Sequence, residues 1–153
     1  MKINGLNGQT YTIQSAPDIR TVSRSIRQVG HSLIYTGKPL MLDFQINHRW
    51  VQVSVPFGFE WDGASIPQVF RWLIGQPLES DFQVPSLIHD AGYDDRARRV
   101  LQDVIFYYLL RQNRVPRWKA LLMYSAVRLG GHVYYAAEYS RFWRRVKRLL
   151  ERA

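Results

Sequence analysis

The sequence predicts an α+β domain, with a small N-terminal β portion followed by a predominantly α-helical portion that contains an antiparallel helix pair. Three observations point there. Period-two alternation is confined to roughly the first sixty residues, whereas from Pro85 onward apolar residues recur at helical spacing. A short charged turn, Asp94-Asp95-Arg96, then separates two helical stretches closely enough that they should fold back on each other.

In chain order, TYTIQ alternates like a strand, and DIRTVSRSIRQV fits a short helix with Ile19, Val22 and Ile26 on one side. KPLMLDFQI and WVQVSVPFGF read as two strands joined in a hairpin around Asn47-His48-Arg49. Pro56 and Gly58 end that pairing, and FEWDGASIPQVF follows as a loop punctuated by Gly63 and Pro67. Pro85 suits the first position of a helix, since its missing N–H would be unpaired there anyway. A second helix is expected over 97–111, and a third after Pro116 with Trp118, Leu121, Leu122, Ser125 and Leu129 as its stripe. Gly130-Gly131 interrupts before a long final helix. The expectation is one domain over 1–153: mainly β over 1–60, a loop over 61–84 and a helical portion over 85–153.

Composition narrows the function classes. The 153 residues contain no cysteine, which removes disulfides, thiolate metal sites and a cysteine nucleophile together. The opening MKINGLNGQTYTIQ lacks the apolar stretch of a signal peptide, so export by that route is not expected. The net charge of +9 is unevenly spread. Glu60, Asp62, Glu79, Asp81, Asp90, Asp94, Asp95 and Asp103 crowd the middle, which can attract a cation. Arg141, Arg144, Arg145, Lys147, Arg148 and Arg152 make a basic tail.

Asp103 is the informative residue. At helical spacing its neighbours are Val100, Phe106, Tyr107 and Leu110, a face on which an unpaired carboxylate costs several kcal/mol, so it needs a partner. The preceding helix offers His89 and Tyr93, one turn apart on one face. An imidazole oriented by an aspartate is a general base, because the carboxylate fixes its tautomer and stabilises the imidazolium that forms. Asp90 points about 100° away from His89 around the helix. With Asp62 and backbone carbonyls near Gly63 and Ala64 it would supply the all-oxygen ligand set that calcium prefers.

Two resemblances follow from these residues. The string VPFGFEWDGASIP, LIHDAGY, QDVIFYYLL and MYSAVRLGG, from about Val53 to Gly131, resembles an uncharacterised family encoded largely by bacteriophages and prophages. Asp62-Gly63, then His89-Asp90 with Tyr93, then Asp103 with Phe106-Tyr107, is similar to the prokaryotic phospholipase A₂ family over about a third of the chain. That resemblance implies His89 as the water-activating base, Asp103 as its orienting partner, Tyr93 hydrogen-bonded to Asp103, and Asp62 and Asp90 as calcium ligands. The chain departs from that family in having no cysteine, and in keeping little of the calcium loop beyond Asp-Gly and a downstream proline.

Other chemistries fit less well. A metal-dependent phosphohydrolase of the His-Asp type needs further histidines, and His31, His48 and His132 lack supporting motifs. No two histidines share the short spacing of a zinc site. Ser65 has no GxSxG turn around it. Phe57, Phe59, Trp61, Phe70 and Trp72 fit core or loop-clamp roles, and Tyr134, Tyr135 and Tyr139 fit packing better than base stacking, which makes nucleic acid the weaker partner class. In the tail Phe142, Trp143, Val146, Leu149 and Leu150 form an apolar stripe that can dock on the domain, lie on an anionic membrane or mate with another subunit.

The leading expectation is a phage-encoded protein with a phospholipase A₂-like site, acting as a calcium-dependent esterase on phospholipid. The alternatives are a tail or capsid component of the virion with no activity, and a host-directed binding protein. Expected partners are an anionic phospholipid membrane or other virion proteins, with a homo-oligomer also open, in the host cytoplasm or the virion.

Overall fold

The structure is a computed structural model that describes residues 1–64, 66, 71–92 and 99–130. Its β portion is far from small. Seven strands run in order: β1 (Lys2–Asn4), β2 (Thr10–Ser15), β3 (Ile26–Val29), β4 (Ser32–Tyr35), β5 (Leu40–Ile46), β6 (Arg49–Val55) and β7 (Glu60–Trp61). They form two antiparallel sheets, β1-β2-β5-β6 and β3-β4-β7. The predicted fold class is corrected on this point: strands of two to four residues are too short to leave a period-two signature, so much of the sheet was invisible in the pattern. The helices follow the strands: α1 (Arg71–Ile74), α2 (Ser80–Ala91), α3 (Arg99–Gln112) and α4, residues 117–130.

The β5–β6 hairpin follows local rules. Its register pairs Ile46 with Arg49, leaving a two-residue turn in which Asn47 and His48 both have positive φ, 48° and 61°. That is the geometry whose twist matches the flanking strands, and asparagine tolerates it well. Leu42, Phe44, Ile46, Val51, Val53 and Val55 point into the core, while Met41, Asp43, Gln52 and Ser54 alternate outward.

The segment expected as a helix over DIRTVSRSIRQV is instead a 3₁₀ turn, Val22–Ser25, running directly into β3. Ile19, Val22 and Ile26 are all buried in this arrangement, so the core has the same anchors by a different path. The second sheet reaches the helices through Trp61, whose indole N–H donates to Ser86 Oγ at 3.0 Å inside the core.

The loop expected over 61–84 holds structured elements, and α2 begins at Ser80, five residues before Pro85. Pro85 therefore sits inside the helix. It has no N–H to give the Asp81 carbonyl, and that carbonyl instead accepts from Asn113 Nδ2 at 3.0 Å, at the end of α3. The same bond fixes direction. The start of α2 meets the end of α3, while His89 near the end of α2 meets Asp103 near the start of α3, so the two helices are antiparallel. Leu87 and Ile88 are fully buried in this packing, each worth about 1.5–3 kcal/mol against exposure.

The expected stripe of the third helix is also corrected. Trp118, Leu121 and Leu129 are exposed, and α4 buries Ala120, Met123, Tyr124 and Val127 instead. Both sets have helical spacing, and only docking against α3 decides between them: Tyr124 meets Tyr107 edge-on at 5.9 Å between ring centroids. The predicted final helix and basic tail, the Asp94-Asp95-Arg96 turn, Ser65 and Phe70 lie outside the described residues. No described helix is long and apolar enough to cross a membrane.

Candidate active site: a buried histidine between two carboxylates

The antiparallel pair brings the α2 histidine and the α3 aspartate together. His89 Nε2 lies 2.8 Å from Asp103 Oδ1, and Asp103 is fully buried. The other ring nitrogen, Nδ1, lies 3.3 Å from Oδ1 of the partly exposed Asp90. Phe106, one turn after Asp103, stacks at a tilt against the imidazole at 5.0 Å between centroids and walls one face of it. Asp103 is thus the aspartate its sequence neighbourhood predicted, with the expected partner.

Its second partner was not predicted. Arg128 Nη1 donates to Asp103 Oδ2 at 2.9 Å, so each carboxylate oxygen has a bond. The arginine is itself held in place: Arg99 Nη2 donates to the Arg128 carbonyl at 2.8 Å, linking the start of α3 to the end of α4. Arg128 is the first basic residue of its helix to fall one turn after Tyr124, on the buried side. A reading that placed the apolar stripe on the other side could not find it.

The protonation of His89 follows from this geometry. Burial alone drives its pKa down, but the hydrogen bonds to Asp103 and Asp90, with their charges, outweigh burial and raise it above the ordinary histidine value. A carboxylate facing each ring nitrogen favours a proton on both. The imidazolium is the resting form over a wider range than for a free histidine, and the base form is reached only above the raised pKa.

The calcium-loop residues are less convergent. Asp62 is exposed, whereas Gly63 and Ala64 are buried against the 77–78 segment. Gly63 has φ +84°, and a Cβ there would run into the Pro77 carbonyl, so packing alone requires this glycine. Ala64 N–H donates to that same carbonyl at 2.9 Å, and the Ala64 carbonyl accepts from Ile66 at 2.8 Å. The oxygens left for a hard cation are the accessible carboxylates of Asp62 and Asp90 rather than an open Asp-Gly-Ala loop. Among the described residues no three His, Cys, Asp or Glu side chains converge as a metal site. Tyr93, the remaining predicted site residue, lies outside the described residues.

Fold and site together define a mixed α and β protein with a buried Arg-Asp-His hydrogen-bond network at a three-helix junction. The chain belongs to the family described as protein of unknown function DUF1353, whose model matches residues 39–127 and so takes in α2, α3 and most of α4. It is also 46% identical over 74 residues to the uncharacterized protein y4jT of Sinorhizobium fredii, a stretch that covers 48% of this chain and 22% of that protein. This chain thus corresponds to less than a quarter of that relative's length. No solved structure matches it.

Proposed function

We propose that this protein is an ester hydrolase of bacteriophage or prophage origin, working on phospholipid in the host cytoplasm or as part of the virion, with His89 as the proton-transfer residue. The observation behind this reading is the placement of the imidazole. Asp103 orients Nε2, Arg128 fixes Asp103, and Nδ1 is left beside a partly exposed carboxylate at the end of a helix. Burying this ion network costs desolvation that apolar residues would not incur. A stable core does not need it; proton transfer does.

In the base form Nδ1 takes a proton from water as the water attacks an acyl carbonyl, and the imidazolium then returns the proton to the departing alcohol. Asp103 and Arg128 hold the ring still through both transfers. Asp90 lies beside Nδ1, so a cation bound to its carboxylate would neutralise that charge and favour the base form of His89. The exposed Trp72 and Leu73 of α1 supply side chains that suit a lipid–water boundary.

The test is fatty-acid release from mixed phosphatidylglycerol and phosphatidylcholine vesicles, with millimolar calcium or with chelator. Wild type is expected to release fatty acid, faster with calcium and faster as pH rises through the raised His89 pKa. His89→Gln is expected to lose about 10²–10⁴-fold. Equal release by wild type and His89→Gln would overturn the reading. So would no release at any pH, together with a melting temperature indifferent to calcium, and a purely structural role in a virion would then stand.

A further inference from the structure

Among the described residues the two sheets end in four edge strands, and one of them differs from the rest. β1, β3 and β7 have three, four and two residues, and the first two carry Lys2 and Arg27. β6 is an edge of seven residues, Arg49–Val55, without proline, lysine or bulge, and its single charge, Arg49, stands at the turn. Proteins ordinarily blunt a long edge, because its row of unpaired N–H and C=O groups is a template for another strand.

The register with β5 fixes which groups are free. Ile46 and Arg49 close the two-residue turn, so Arg49, Val51, Val53 and Val55 direct their backbone groups toward β5. Trp50, Gln52 and Ser54 direct theirs outward, and among the described residues no turn, loop or other strand bonds to them. All three are exposed. Their side chains share the outer face of the hairpin with β5: Met41 pairs with Ser54, and Gln52 Nε2 donates to Asp43 Oδ1 at 2.8 Å. Trp50 and Met41, 60% and 59% exposed, are the large apolar groups that this face leaves in water.

We propose that β6 is the seam of a homodimer, pairing antiparallel with β6 of a second copy about a twofold axis at Gln52. The strand complements itself in that register. Gln52 faces its own counterpart, Trp50 faces the partner's Ser54, and every free N–H of one strand meets a free carbonyl of the other. Each Trp50 ring lies over the small Ser54 of the other copy and reaches Met41 beyond it, so the exposed apolar groups of the two faces cover one another. Arg49 stands opposite Val55 rather than a second arginine, so no like charges face each other across the seam. A strand of unrelated sequence would satisfy the backbone equally well; the match of large Trp50 with small Ser54 about the axis singles out a second copy. The seam uses no residue of the His89 network and stands whether or not the protein is a hydrolase.

The absence of native cysteine permits a test specific to this register. Gln52→Cys sets two thiols opposite each other at about 5.5 Å between Cα atoms, within disulfide reach. Ser54→Cys leaves its two thiols about 13 Å out of step along the strands. Under mild copper-phenanthroline oxidation of the full chain, Gln52→Cys is expected to cross-link to a dimer and Ser54→Cys to stay monomeric on non-reducing gels. In sedimentation equilibrium the wild type is expected at twice the chain mass at about 100 μM, and to dissociate on dilution. Gln52→Pro removes only an N–H that β5 does not use, and should weaken the dimer about thirtyfold, the loss of two hydrogen bonds. A wild type that stays monomeric at that concentration, leaving the edge to another segment or another protein, would overturn the proposal. Equal cross-linking of the two cysteine variants would do the same, as would a dimer indifferent to Gln52→Pro. Should Gln52→Pro fail to fold by circular dichroism, the cysteine pair decides.

Discussion

The two ends of the α2–α3 pair are closed in opposite ways. Where α2 begins, a single neutral hydrogen bond from Asn113 to the Asp81 carbonyl, near the surface, closes the gap. Where α2 ends, two carboxylates, an imidazole and a guanidinium are packed together, with Asp103 wholly out of water. Helix packing needs only the first kind of closure. The second carries a desolvation penalty that is recovered only while every member stays paired. The comparison therefore separates what holds the helices together from what the junction is for.

The largest expected break is at Asp103. Asp103→Ala strands His89 and Arg128 at once, and should cost about 3–5 kcal/mol in urea unfolding, as for other buried networks that lose one partner. A loss below about 1 kcal/mol would mean that water reaches the junction and that the two ends do not differ in kind. The effect of pH comes next. The folded pKa of His89 is raised above its ordinary value of 6.5, so its stabilising contribution is fully present below about pH 6.5. It fades as pH rises through the folded value. Unfolding free energy measured across this range should fall with pH in wild type, and the fall should flatten in His89→Gln. A wild-type slope of the opposite sign would show that burial dominates its environment. The smallest effect should be Asn113→Ala, about 0.5–1 kcal/mol, since water can replace the lost donor at a surface site. If it matched Asp103→Ala, the contrast between the ends would fail.

The same contrast explains what the sequence disclosed. His89 and Asp103 could be paired in advance because the signal is local: a carboxylate among apolar neighbours on one helix and an imidazole near the end of the helix before it. The Asn47-His48 hairpin was legible for a similar reason, since two strands and their turn are contiguous. Arg128 was not, because it reaches Asp103 from 25 residues away and its helix could have rotated to bury either of two stripes. The short strands β1, β3, β4 and β7 owe their existence to pairing rather than to their own pattern, so the extent of the β portion was underestimated.

Pro85 leaves a gap in the hydrogen-bond ladder of α2, and the carbonyl beneath that gap is the one Asn113 occupies. In isolation this makes α2 a poorer helix, by roughly 3 kcal/mol for a proline in a helix interior. An uninterrupted helix would have its Asp81 carbonyl already engaged, and α3 could slide by a turn at little cost. The flaw works as a registration mark: it exists at one height along α2, and a side chain at one height along α3 fits it. Sliding the pair by a turn would leave Asp81 without its donor at one end and Asp103 without its imidazole at the other. Alignment of the charged junction is thus enforced from the far end of the same two helices, by a residue that carries no charge and takes no part in proton transfer.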